Sequence, residues 1–406
     1  MSEVATREPQ LRFPEFSDSL IKGALGDYAL IKRGAGSQYI EYSKDSKDSI
    51  RLIRIGDFLG GDAVFVRLTN AIQRFLLDEG DILIAGTGAT AGITFLVPTK
   101  FVGMAYSYNA PKIKVHKDNV SFFYQYLISP KIKIQQIRLF TGNAQPFLDT
   151  NAIKGFSIFK PPLQEQQKIA AFLAAVDSKI EQLSKKQALL GEYKKGLMQQ
   201  IFSQAIRFKA DDGSEFPDWE DNTIDKALHS YKLGGNYSNS EAVTDYPLIK
   251  MGNLDRGNIK LNKLQYINTE ENIDDSDKIN YGDLFFNTRN TLDLVGKVAI
   301  WRDELPCAYY NSNLMKMEFS DNFFMNYRFN SFDGIKALRR VATGTTSVAA
   351  IYTKDLLKIK FSLPTLSEQQ KIANFLSSID TKIEQAGKQL DESKQFKKAL
   401  LQQMFV

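Results

Sequence analysis

EQQKIAAFLAAVDSKIEQLSKK, from Glu165 to Lys186, and EQQKIANFLSSIDTKIEQAGKQ, from Glu368 to Gln389, are two copies of one segment. They start 203 positions apart. At that spacing the match runs without a gap through YKKGLMQQIF and FKKALLQQMF to Phe202 and Phe405, with about half of the positions identical. The same spacing relates Phe13-Pro14-Glu15-Phe16 to Phe216-Pro217-Asp218-Trp219, so the duplicated unit covers almost the whole chain.

Inside each copy the apolar residues recur in steps of four and three. The first reads Ile169, Leu173, Val176, Ile180, Leu183, Leu190, Leu197, Ile201; the second Ile372, Leu376, Ile379, Ile383, Ala386, Leu390, Leu400, Met404. This is the a/d seam of a coiled coil. Both seams weaken in the same place, at Gln187 and Lys194 in one copy and at Ser393 and Lys397 in the other. Pro161-Pro162 and Pro364 stand just ahead of the helices, where proline is tolerated and holds the preceding chain extended. A helix of about 38 residues rises about 57 Å, far beyond the usual length of about 12 residues, and needs something to pack on. The other copy is its natural partner, because two equal seams in one chain meet at high effective concentration; self-association between chains is the alternative. Antiparallel pairing would relate the halves by a pseudo-twofold axis and make the helices a ruler. Globular parts held about 35 Å or more apart would match DNA half-sites one helical turn apart. Lys179, Lys185, Lys186, Lys194, Lys195, Lys382, Lys388, Lys397 and Lys398 fall on the outer faces, the ordinary make-up of a solvated helix.

Between the helices the copies diverge while frame positions survive. Leu52-Ile53-Arg54-Ile55-Gly56-Asp57 parallels Leu248-Ile249-Lys250-Met251-Gly252-Asn253, Gly80-Asp81-Ile82-Leu83 parallels Gly282-Asp283-Leu284-Phe285, and Thr141-Gly142 parallels Thr343-Gly344. Either one scaffold carries two different surfaces, or neutral duplicates have drifted. Short apolar runs such as Asp81 to Ala85 and Val298 to Trp301 read as strands, and Val120 to Phe140 and Phe323 to Val341 as helical. The fold class is therefore α+β. A first globular α/β domain covers 1–160 and a central spacer helix 161–205; a second α/β domain covers 206–362 and a C-terminal spacer helix 363–406.

With 406 residues the chain exceeds one ordinary core. Its 43% hydrophobic content is that of a globular protein, and no apolar run is long enough for a membrane span. The opening MSEVATREPQ has no apolar signal region, and Cys307 alone allows no internal disulfide; both fit a reducing cytoplasm. A net charge of +5 is compatible with a polyanion but does not require one. Catalytic chemistry finds little support. ILIAGTGATAG, from Ile82 to Gly92, has glycines after a strand, yet ITFLVPTK continues as a second strand rather than a helix, no acidic residue follows about 20 positions on, and the second copy has NTRNTLDLVG instead. Gly296-Lys297 is followed by Val298, not Ser or Thr, so it is no phosphate loop. His116 and His229 are isolated, which excludes a zinc cluster or a Ser/His/Asp set. Lys160-Pro161-Pro162-Leu163 lacks the base-holding residues of an amino-methyltransferase motif.

The duplicated PPLQEQQKIAAFL and PTLSEQQKIANFL openings, the KKGLMQQIF and KKALLQQMF ends, and the Thr-Gly element ahead of each helix resemble the specificity subunits of type I restriction-modification systems, over essentially the full chain. GDLFFNTRNTLDLVGKVAIW, from Gly282 to Trp301, is similar to a common recognition-domain segment of that family; the first copy shares only its Gly-Asp opening. The resemblance implies two target-recognition domains, each reading half of a bipartite, asymmetric sequence in double-stranded DNA, with an unread spacer set by the helices. It implies a non-catalytic prokaryotic, cytoplasmic subunit whose partners are two adenine-N6 methyltransferase (modification) subunits and the restriction (motor and nuclease) subunits. S-adenosylmethionine, ATP and Mg²⁺ belong to those partners, with no cofactor or metal in this chain.

Base reading needs Arg, Lys, Asn or Gln at base edges, with Lys, Arg, Ser and Thr on phosphates. In the first half the candidates are Lys32, Arg33, Arg54, Thr87, Thr90, Tyr106, Asn109 and Gln145. In the second they are Lys232, Lys250, Arg289, Asn290, Asn311, Asn313, Thr345 and Thr346. Two other classes remain beside the DNA reader: a non-catalytic coiled-coil scaffold with two ligand-binding domains, and a self-sufficient methyltransferase, against which the missing motifs argue.

Overall fold

A computed structural model describes residues 8–44, 48–141 and 146–406. Contacts divide the chain into two compact units, one of residues 1–185 with 387–406 and one of residues 186–386. The boundaries fall inside the two long helices, Leu163–Phe202 and Leu366–Met404. Each unit thus owns one globular domain, half of one long helix and half of the other.

In the first unit a four-stranded antiparallel sheet runs in the order Ala29–Lys32, Lys112–Val115, Ile82–Ile84, Thr94–Leu96. A three-stranded sheet sets Ser49–Ile53 between Phe65–Arg67 and, in parallel, Ala105–Tyr106. The second unit repeats both sheets: Leu228–Leu233, Leu314–Phe319, Leu284–Asn287, Val298–Ile300 in one, and Pro247–Ile249 parallel to Tyr309–Tyr310 in the other. Ile82 to Leu96 is a hairpin, so the glycines of ILIAGTGATAG form its turn. The helical stretches each break once, into Val120–Leu127 and Pro130–Leu139 and into Asn322–Asn330 and Phe332–Val341. Proline at the start of Pro130–Leu139 forces the first break. The helices Val120–Leu127 and Asn322–Asn330 start at caps 202 positions apart: the Asn119 side chain accepts from Phe122 N at 2.9 Å, that of Asp321 from Phe324 N at 2.8 Å.

The long helices pair antiparallel within each unit. In the first, Ile169, Ala170 and Leu173 from the start of one helix share a core with Leu400, Leu401, Met404 and Phe405 at the end of the other. In the second the roles exchange: Ile201 and Phe202 pack with Ile372, Ala373, Leu376 and Ile379. The last apolar residue of each helix also enters the globular domain. Phe405 lies 5.6 Å from the Phe122 ring and 4.8 Å from Tyr126, and Phe202 lies 5.8 Å from Phe324. Burying each such ring contributes about 1.5 to 3 kcal/mol, so helix pairing and domain docking are one cooperative core.

The seam interruptions at Lys194 and Lys397 are ion pairs. Lys194 reaches Asp380 at 2.5 Å and Lys397 reaches Asp177 at 2.5 Å, each pair bridging the two long helices. The domains close both networks: Gln125 Nε2 donates to Asp177 at 2.7 Å, and the Tyr327 hydroxyl donates to Asp380 at 2.7 Å. Burial, then the Asp380 charge, pushes the Tyr327 phenol above its ordinary range. A second pair of carboxylates sits in the first turns, where helix N-termini favour negative charge. Buried Glu165 takes Arg12 through Nε and Nη2, both at 2.7 Å; buried Glu368 takes Arg207 Nη2 at 2.8 Å and Trp219 Nε1 at 3.2 Å.

These contacts revise the repeat boundary. Phe13 packs on Phe172 at 5.8 Å and Phe208, not Phe216, packs on Phe375 at 5.4 Å. Leu11 N donates to Gln403 O just as Ile206 N donates to Gln200 O. Leu11-Arg12-Phe13 therefore matches Ile206-Arg207-Phe208, 195 positions on, and the second copy carries eight more residues before its Trp219. Phe216-Pro217-Asp218-Trp219 instead forms the irregular stretch that leads into the strand Glu220–Thr223.

Candidate nucleic-acid interface

In the second domain the chain leaves the helix Phe332–Val341 and enters a small hairpin. Thr343–Gly344 pairs with Ala349–Ala350, which pairs in turn with Arg289–Asn290. The tip from Thr345 to Val348 is exposed, and Thr345 Oγ1 accepts from Val348 N at 3.3 Å to close it. Gly344 has φ +130°, and a Cβ there would meet Val348 O at 2.3 Å, so the turn requires glycine. Leu292 N bonds Thr346 O, and Thr288 Oγ1 donates to Asn313 O at 3.2 Å. The fold thereby gathers Arg289, Asn290, Asn313, Thr345 and Thr346, which lie apart in sequence. Asn311 adjoins them but is buried, with Oδ1 unpartnered among the described residues.

The first domain builds the equivalent place differently. Phe147 bridges to both Thr87 and Thr141, and Gly86 N donates to Asn109 O at 2.8 Å. The Arg33 guanidinium stacks 4.5 Å from the centre of the exposed Tyr108 ring and 5.3 Å from Phe147. Arg54 and Asn109 line one cavity of about 420 Å³ together with Tyr42 and Tyr108. Arg54 Nη2 donates to Asp62 O at 3.1 Å, while its Nε is buried with no partner among the described residues. Arg33, Arg54, Thr87 and Asn109 are thus drawn together, with Thr90 half-buried in the adjoining turn.

The remaining candidates go elsewhere. Tyr106 is buried at 1% exposure on a core strand, so it supports the frame rather than offering a surface. Lys32 is exposed at a strand end opposite Lys112. Lys232 is held by Asp277 at 2.8 Å and Asp274 at 3.3 Å, and Lys250 donates to Gln265 at 2.7 Å and Asn239 at 3.0 Å. Gln145 lies outside the described residues. Sequence reading missed Tyr108 and Phe147, the rings that orient Arg33. It also missed Arg339-Arg340, exposed at the end of the helix that leads into the second hairpin. That arginine doublet, directly ahead of Thr343-Gly344, was a readable signal.

Among the described residues no group of three or more His, Cys, Asp or Glu is placed to hold a metal ion, and no helix is long and apolar enough to cross a membrane. Both domains present polar loops on a shared frame, which defines a duplicated recognition protein. The pattern described as the Type I restriction modification DNA specificity domain matches twice, over residues 24–190 and 229–392, and the chain belongs to that family. It is 27% identical over 352 residues to the type I restriction enzyme MjaVIII specificity subunit of Methanocaldococcus jannaschii, covering 83% of this chain and 80% of that one. It is 26% identical to the putative MjaX specificity subunit of the same organism, over 81% and 78% of the two chains. The fold matches that of the type I restriction-modification S subunit from M. genitalium with a TM-score of 0.61 at 15% identity, over 98% and 99% of the two chains.

Proposed function

We propose that this chain reads a bipartite, asymmetric DNA sequence with an unread spacer and directs methyltransferase and endonuclease subunits to it. One observation carries the reading: a single frame occurs twice, and at the equivalent hairpin it offers Arg289, Asn290 and Thr346 in one copy but Arg33 and Thr87 in the other, around an asparagine that both share, Asn313 and Asn109. Equal frames with unequal contact residues read unequal half-sites. Duplicated long helices support a fixed gap between them and two equivalent places for modification subunits. The chain itself supplies recognition, in the cytoplasm of a prokaryote; S-adenosylmethionine serves the modification subunits, and ATP with Mg²⁺ the restriction subunits.

Single-molecule mapping of methylated adenines in cells that carry this chain and its modification subunit tests the reading. The expected motif has two different specified halves and a constant unspecified gap. A palindromic contiguous motif, or no motif dependent on this chain, would sink it.

A further inference from the structure

Ala29–Lys32 and Leu228–Leu233 are the same strand in the two domains. Lys32 pairs with Lys112 as Lys232 pairs with Lys316, and just beyond, Ala35 bridges to Ser107 as Gly235 bridges to Asn311. Arg33 and Leu233 therefore occupy one place in the frame, and Tyr108 and Ser312 another. The hairpin supplies a further match: Phe147, bridged to Thr87 and Thr141, stands where Ala350 pairs with Arg289 and Thr343.

These places change together. In the first domain the Arg33 guanidinium lies 4.5 Å from the centre of the Tyr108 ring and 5.3 Å from that of Phe147. In the second domain the arginine and both rings are absent at once, replaced by Leu233, Ser312 and Ala350. Core packing does not demand the exchange, since Tyr108 is 48% and Leu233 49% exposed. A half-exposed ring adds little to a core, so the work of Tyr108 is to hold the guanidinium. Arg33 is held but unanswered. Arg12 and Arg51 are tied to Glu165 and Asp57, whereas the half-buried Arg33 side chain makes no hydrogen bond or ion pair among the described residues. A guanidinium carries donors only, so each of them still calls for an acceptor.

We propose that Arg33 reads a guanine in the half-site bound by the first domain, and that Tyr108 and Phe147 are positioning residues that fix its fork. The claim rests on the reading of this chain as a DNA-specificity subunit. The fork donates in one plane to O6 and N7 of guanine in the major groove, a pattern that distinguishes guanine from the other bases. The rings restrict the side chain before DNA arrives, so less freedom is lost on binding. A phosphate also suits a fork, but the DNA backbone is the same under both half-sites. An equal frame on an equal backbone gives no reason to put Leu233 in the place of an arginine; unequal base sequences do. In the second domain the exposed arginine is Arg289, at the place of Thr87, so the copies set their forks at different points of one frame.

The test measures methylation by the complex of this chain with its modification subunit, on duplexes that carry each base in turn at every position of the motif mapped in cells. The parent motif contains a G·C pair in one half. Arg33→Leu lowers discrimination at that position about tenfold or more, while the rest of that half and the whole of the other stay specified. Arg33→Gln, which keeps a planar polar end, loses the guanine preference as well, and both variants melt with the parent. Tyr108→Ala relaxes the same position and Tyr108→Phe restores it. An Arg33→Gln chain that discriminates at every position as the parent does overturns the proposal, and so does a loss confined to an A·T pair. Uniform weakening on all sequences, with a salt slope of duplex binding shallower by about one, also overturns it and gives Arg33 to a phosphate. Equal loss at every position in Tyr108→Ala refutes the positioning role. A parent chain that yields no motif, or a contiguous palindrome, refutes the functional reading itself rather than the role of Arg33.

Discussion

The two ion-pair networks on the long helices are the same device finished in two ways. Lys397 and Asp177 are completed by Gln125, and Lys194 and Asp380 by Tyr327, with Ser377 Oγ 3.0 Å from the same hydroxyl. The lysine and the carboxylate are unchanged between copies; the domain's contribution is not. The Asp177 side chain is 38% exposed and that of Asp380 only 11%. Pairing between helices is thus fixed by a shared polar lock, while each domain reaches that lock with whatever side chain its own core permits.

Removing the carboxylates separates the copies most strongly. Asp380→Ala strands Lys194 and leaves Tyr327 without its acceptor in a buried setting, and breaking a buried pair costs about 3 to 5 kcal/mol. Asp177→Ala acts on a partly solvated pair and costs about 1 kcal/mol or less. Denaturant unfolding of the two variants should show that order. Equal losses would mean that the networks are energetically equivalent despite their difference in exposure.

A smaller effect is expected at the hairpin. Gly344→Ala forces a side chain into a backbone region that costs about 1 to 3 kcal/mol and against Val348 O. The tip carrying Thr345 and Thr346 would shift, so methylation at the mapped sites should fall more than the melting temperature does. A variant that methylates every site normally would remove this tip from the reading surface.

The sequence made the duplication, the helix seams and the antiparallel pairing legible, because all three depend on which positions are apolar. It marked Lys194 and Lys397 as breaks in the rhythm but not as ion pairs, since each partner lies on the other helix. The two strands of the hairpin at Ile82–Leu96 were legible as short apolar runs on either side of a glycine-rich stretch. The FPEF and FPDW match misled because residue similarity outlasted spatial equivalence across an insertion. At the candidate interface, residue type alone could not tell Arg289, which the fold exposes, from Lys232 and Lys250, which acidic and amide neighbours occupy. Nor could it show that Arg33 rests on Tyr108 and Phe147, more than 70 and 110 positions away.

The smallest contrast lies in the caps that start the two equivalent domain helices, Asn119 in one copy and Asp321 in the other. Burial raises the Asp321 pKa, and the amides of Phe324 and Phe323 offset that only in part. A carboxyl raised in the folded state favours folding while protonated; that contribution is complete below the unfolded value and is lost as pH rises through the folded one. Near neutral pH, Asp321 therefore carries a net cost that an amide avoids. Asparagine caps as well as aspartate does, and Asn119 already makes the bond in this frame. Asp321→Asn should stabilise the protein near pH 7 by less than about 1 kcal/mol, with the gain fading as pH falls through the raised folded value and gone below the unfolded carboxyl value of about 3.9. Thermal unfolding at several pH values measures it. A destabilised variant at neutral pH would show that the charge of Asp321 gains more from the helix N-terminus than it loses to burial, making the two caps different in kind.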